Sequence, residues 1–157
     1  IDIRCHVLKL VYKKREALNT LEGVLDLNVV IEDTCRNLAK MFIDTVHKVI
    51  EPLLEKPSHI IIRSPTPPCS FDTSKPEYPV VGTSAERVFA TKTMCNYLKL
   101  YGAEKGFQFA DITSFYSDSN GTLEMSKSDG STHISNDCPQ YNVQTVLDLI
   151  NSARVKV

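Results

Sequence analysis

From Leu27 onward apolar residues recur every three or four positions: Ile31, Cys35, Leu38, Phe42, Val46, Val49 and Leu53, with Ala39, Ile43 and Ile50 widening the stripe. That period predicts a long amphipathic helix with one buried face. Pro52 and Pro57 bracket its end, because proline has no amide hydrogen to continue the backbone ladder. Upstream, Val7 to Leu27 mixes apolar and charged residues and is interrupted by Asn19-Thr20 and Gly23, so a helix or an irregular loop is expected over 7–19. The opening Ile1-Asp2-Ile3-Arg4 reads as the inside of a strand or its exit loop.

Downstream, His59-Ile60-Ile61-Ile62-Arg63 is a short β-branched run without alternation, the pattern of an interior parallel strand covered on both faces. Pro65, Pro67, Pro68, Pro76 and Pro79 then predict an extended connection up to Gly82. Thr83 and Glu86 have capping-box spacing, and Val88, Thr91, Cys95 and Leu98 continue one helical face that Gly102 or Gly106 ends. Phe107 to Ile112 is the next strand. Asn120-Gly121, between Phe115-Tyr116 and Leu123-Met125, predicts a two-residue hairpin. Val143, Val146, Leu147 and Ile150 define a last helix.

Helix, strand, helix, strand, hairpin, helix is an alternation that argues for α/β architecture with parallel strands, here a three-layer α/β/α sandwich. Two predicted core strands are few for such a sheet. The chain is therefore expected to be one domain over 1–157, truncated at its N-terminus, with the missing strands upstream of Ile1.

Composition narrows the function classes. The 157 residues suffice for one domain that buries roughly two-thirds of its unfolded surface. A formal net charge of −1 gives no electrostatic reason to expect nucleic acid or an anionic membrane as partner. The 5 cysteines are odd in number, widely spaced and without C-x-x-C, which is neither a zinc pattern nor a disulfide framework. A reducing, cytoplasmic setting is expected from them. No run of about 18 apolar residues is present to span a membrane, and no signal-peptide pattern opens the chain.

In open parallel sheets the working groups lie at the carboxyl ends of strands. Three segments meet that condition: Asp2, Arg4 and His6; Arg63-Ser64-Pro65; and, beyond the hairpin, Asp129 with His133. A histidine becomes a strong base when an acceptor orients one ring nitrogen and the other faces the reacting group. Asp129-Gly130-Ser131-Thr132-His133 offers the base and its orienting acid on one loop, and an ordinary solvated turn is the plain alternative. Asp2, His6, Asp129 and His133 could converge on a metal, but no spacing demands it. The scattered glycines form no phosphate-binding loop, and no cofactor is expected. Ser84, at a predicted helix start, lacks the G-x-S-x-G elbow, so capping by Thr83 or Ser84 is the expected role there.

The ordered set Ile1-Asp2-x-Arg4-x-His6, Val81-Gly82-Thr83-x-x-Glu86-Arg87, Phe109-x-Asp111-Ile112, Tyr116-x-Asp118-x-x-Gly121 and Asp129-Gly130-…-His133-Ile134-Ser135 resembles the SGNH/GDSL hydrolase superfamily. It is most similar to glycan-associated domains whose third motif reads Gly-Glu-Ile-Asp-x-Arg, and it covers the latter two-thirds of such a flavodoxin-like domain. The resemblance implies an esterase or acyltransferase acting on acylated carbohydrate. His133 would be the base, Asp129 its orienting acid and Asp2 the residue standing where the family has an oxyanion-binding Asn. Arg4, His6, Arg63, Arg87 and the 65–81 segment would border the substrate. The family's nucleophilic Ser would lie before Ile1, so the isolated chain is expected to be inactive. Its acid-to-base spacing is one residue shorter than Asp129 to His133, so the loop must bulge. The alternative is a non-catalytic binding or structural module, packed against further domains of a longer glycan-related chain.

Overall fold

A computed structural model describes residues 3–18, 26–54, 60–71, 80–130, 133–138 and 140–154, with 3–6, 14–15, 17–18, 140–142, 149 and 152–154 described by backbone alone. Helix α1 spans Ile3–Leu18. Val7, Leu8 and Val11 lie one helical turn apart or adjacent and are fully buried, so the segment that was ambiguous by pattern is helical because its apolar side chains pack against the two long helices that follow in the chain. The expected strand exit is thus helix from Ile3 onward.

Helix α2 spans Leu27–Thr45, and the carboxylate of its N-cap Asp26 accepts the Asn28 amide. It runs on through a π turn, Val46–Ile50, into a 3₁₀ turn, Glu51–Leu53, that contains Pro52. Val30, Ile31, Cys35, Ala39 and Ile43 are buried, whereas Phe42, Val49, Ile50 and Leu53 are exposed. The stripe predicted as one buried face is therefore buried only along its first part. Helix α3, Ser84–Glu104, explains why. Its last turn stands level with Ile43, whose Cδ1 would lie 3.8 Å from a Cβ added at Gly102, and α2 continues past it. The wider π turn also rotates the later apolar positions away from the earlier ones.

The termini of α3 follow from local sequence. Thr83 Oγ1 accepts the Glu86 amide at 3.2 Å and Glu86 Oε2 accepts the Thr83 amide at 2.8 Å, the reciprocal pair expected from the spacing. At the other end the helix passes through Gly102 and stops before Gly106, whose φ is +76°. The Gly106 amide donates to the Ala103 carbonyl and the Phe107 amide to the Gly102 carbonyl, a Schellman stop.

Strands β1, Ile61–Arg63, and β2, Gln108–Ala110, pair in parallel, with Ile62 opposite Phe109. Parallel neighbours need a long crossover, and α3 is that crossover. The fold is α/β in this sense, helices with a small parallel sheet. One core joins α1, α2, α3, Ile62 and Phe107. A second, smaller one gathers Ile112, Tyr116 and Leu123, with Ile134 and Cys138 packed against it. The last helix, α5, spans Gln140–Arg154 and touches β2.

The predicted hairpin is reduced to a tight antiparallel turn at the expected place. Phe115 and Tyr116 belong to a single-turn helix, α4, Thr113–Tyr116, and the chain then reverses at Asn120-Gly121 so that Ser117 bridges Leu123, with the Glu124 amide donating to the Tyr116 carbonyl at 2.9 Å and the Asp118 amide to the Thr122 carbonyl at 2.8 Å. The intervening turn is organised by Asp118. Its carboxylate accepts the amides of Asn120 and Thr122, each at 2.9 Å, and the Thr122 hydroxyl at 2.8 Å. Burial works against the charge on Asp118, yet these bonds hold its carboxyl below the ordinary range.

Candidate functional site

At the carboxyl ends of β1 and β2 the chain ties a polar knot. Ser64 directly follows β1 and is 1% exposed. Its Oγ accepts the Ile112 amide at 2.9 Å and the Thr113 amide at 3.1 Å, and it lies 3.4 Å from Asp111 Oδ1. Asp111 in turn accepts the Thr113 amide and the Ser114 hydroxyl, both at 2.9 Å, at the entry to α4. The Thr113 hydroxyl donates to the Pro65 carbonyl at 2.7 Å. A hydroxyl enclosed in this way joins the two strand exits and is not presented as a nucleophile. Ser84 opens α3, where Thr83 is the N-cap.

Arg63 is exposed at the end of β1. Arg87, expected beside the substrate, is instead 3% exposed. Its guanidinium donates to the carbonyls of Gly82, Cys69 and Phe71, the last at 2.6 Å, and so binds the proline-rich segment to the start of α3. Removing it would leave buried carbonyls unpaired. Arg87→Met is expected to lower stability by about 2–4 kcal/mol in urea unfolding. Arg87→Lys should recover only part of this, because one ammonium cannot reproduce the fork; full recovery would show that charge, not geometry, matters there.

The Asp129–His133 loop stands on the second core. A 3₁₀ turn, Met125–Lys127, leads into an antiparallel bridge between Ser128 and Ile134. The Asp129 amide donates to the His133 carbonyl at 3.1 Å, and the Ser135 amide to the Lys127 carbonyl at 2.8 Å. Gly130, with φ +85°, adopts the left-handed conformation that turns the chain back. The longer acid-to-base spacing is accommodated this way: His133 Nδ1 lies 3.6 Å from Asp129 Oδ2. The His133 side chain is 74% exposed and that of Asp129 41%.

Lys127 anchors the base of this loop. Its ammonium donates to the Phe115 carbonyl, sits 4.4 Å from the centre of the Phe115 ring and pairs with Glu124 at 2.8 Å. Lys127 and Ser126 together hold the Glu124 carboxyl below its ordinary range. On the other side Tyr116 Oη donates to the Cys138 carbonyl at 2.6 Å, fixing the chain that follows His133.

Of the expected site residues, the structure brings Asp129 and His133 together. Asp2 lies outside the described residues, and Arg4 and His6 are described by backbone alone, in the first turns of α1. Among the described residues no three His, Cys, Asp or Glu side chains converge as metal ligands. A groove of about 440 Å³ runs along α2 beside Lys40, Met41, Asp44 and Val49, and none of the expected site residues lines it. Sequence placed Ser64 at a strand exit but did not join it to Asp111 and Thr113, because Asp111 was expected inside a strand running to Ile112, and that strand ends at Ala110.

The described cysteines, Cys35, Cys69, Cys95 and Cys138, are free thiols. Burial, with smaller contributions from Cys95 and Glu32, pushes the Cys35 thiol up to about 12. At pH 8 Cys35 is expected to resist alkylation until the whole chain unfolds, while half-buried Cys95 and Cys138 react earlier. Mass mapping of a maleimide time course reads the order directly, and early labelling of Cys35 would contradict its burial.

No protein-family model matches the chain, and no curated protein or solved structure matches it significantly. No helix of the described residues is long and apolar enough to cross a membrane.

Proposed function

We propose that this chain is the C-terminal portion of an SGNH-type three-layer α/β/α domain, a serine esterase or acyl-transferring enzyme acting on acylated carbohydrate. The nucleophilic Ser lies upstream of Ile1. The observation that carries the reading is the approach of Asp129 Oδ2 to His133 Nδ1, 3.6 Å, within a closed loop. With Nδ1 turned to the acid, Nε2 is the nitrogen that takes the serine proton and later gives it to the leaving alcohol. The separation is slightly beyond hydrogen-bond length and within ion-pair reach. The parallel pairing of β1 and β2 across α3 supports the same architecture.

The openness of the loop favours a second reading, a non-catalytic module of a larger glycan-related protein. A ring 74% exposed lacks the dry surroundings in which a base is most effective. Turnover of an aryl acetate by the longer parent polypeptide, wild type against His133→Ala, separates the two. Loss of turnover in the variant supports the enzyme; equal turnover removes His133 as base. A parent that lacks a Ser-bearing turn after its first strand supports the module.

A further inference from the structure

Asn120-Gly121 lies at the tip of the turn that the Ser117–Leu123 bridge closes. We propose that Asn120 is a site of spontaneous deamidation, converted through a cyclic imide to aspartate and isoaspartate at a rate set by the Asp118 turn. The inference is independent of the esterase reading.

The reaction needs the backbone nitrogen of the following residue to reach the side-chain carbonyl carbon. Gly121 has no Cβ to obstruct that approach, and Asn120 is exposed at the tip of the turn. The deprotonated Gly121 nitrogen attacks Asn120 Cγ. A C–N bond forms, the Cγ–Nδ2 bond breaks, and ammonia leaves with protons from solvent. Water then opens the imide at either carbonyl, giving aspartate or the β-linked isomer. Solvent hydroxide and water are the only co-reactants, so the rate rises with pH.

The folded turn restrains this step. The Gly121 amide donates to the Asp118 carbonyl at 3.0 Å, which both holds its proton and closes the turn. The Asp118 carboxylate holds Asn120 and Thr122 on either side. Thr122 is 4% exposed, so this clamp is anchored in the fold. Attack therefore awaits opening of the turn, and its rate reports that opening. Reaction adds a carboxylate two residues from Asp118, and the β-linked product adds a backbone atom. The consequence reaches Leu123, whose amide donates to the Pro68 carbonyl at 2.7 Å, and the bridge from Leu123 to Ser117.

The whole chain, incubated at pH 7.4 and pH 8.5 and mapped by peptide mass and isoaspartate-specific methylation, tests this. Conversion is expected at position 120 ahead of the other asparagines, faster at the higher pH. Asp118→Ala should raise the rate roughly tenfold toward that of the urea-unfolded chain. Should that variant unfold, Thr122→Val, which removes only the hydroxyl's bond, should give a smaller rise in a folded protein. No preference for position 120 in the wild type overturns the assignment. An unchanged rate in a folded clamp variant overturns the control by Asp118.

Discussion

His133→Ala in the parent polypeptide is expected to slow hydrolysis of a short-chain aryl ester by about 10²–10⁴-fold, the range a positioned general base contributes. The loss should fall on kcat, with KM little changed, because the imidazole acts on the proton in flight and not on substrate binding. Asp129→Asn should keep the loop, whose closure rests on backbone bonds from Asp129 to His133 and from Ser135 to Lys127. It should nonetheless lower kcat, since an amide supports the imidazolium less well and can hold the wrong tautomer. Equal turnover by wild type and His133→Ala would place the base elsewhere. A variant as stable as wild type but slow would separate chemistry from folding, because a side chain 74% exposed contributes little to packing.

Tyr116→Ala is expected to cost about 3–5 kcal/mol of stability, the cost of truncating a buried aromatic. Among the described residues Tyr116 is the largest fully buried side chain, and its ring meets Phe115 edge-on at 5.0 Å between centres. It is also the hub of a core with only two other buried members, Ile112 and Leu123, so little remains to fill the space. Tyr116→Phe should cost about 1 kcal/mol, isolating the bond to the Cys138 carbonyl. Urea unfolding measures both. Hydrogen exchange should show Ser135 and Asp129 amides losing protection first in Tyr116→Ala, since the candidate loop stands on that core. Unchanged protection there would mean that the loop is held by Lys127 alone.

The site was partly legible. Asp129 and His133 could be paired by spacing because a loop of that length keeps both side chains within reach, and Gly130 marked the bend. Nothing in the spacing revealed that the ring would stand mainly in solvent, because exposure depends on what else packs over the loop. Arg87 misled for a related reason. The resemblance put it at the border of a substrate cleft, whereas its burial depends on carbonyls of Cys69 and Phe71, 16 to 18 residues away in sequence.

Where the deciding interaction is local, the chain alone determined the outcome. The capping box at Thr83 and a glycine stop for α3, narrowed by the sequence to Gly102 or Gly106, involve neighbours within a few residues. Where the deciding partner is distant, only the tertiary structure could settle it. It buried the first part of the α2 stripe and left Val49 and Leu53 exposed, because α3 ends level with Ile43. It made Phe115-Tyr116 a helical turn and shortened the antiparallel pairing around Asn120-Gly121 to the Ser117–Leu123 bridge, with Tyr116 buried against Ile112 and Leu123. It enclosed Ser64 between two strand exits, since the amides that meet its hydroxyl lie 48 and 49 residues on.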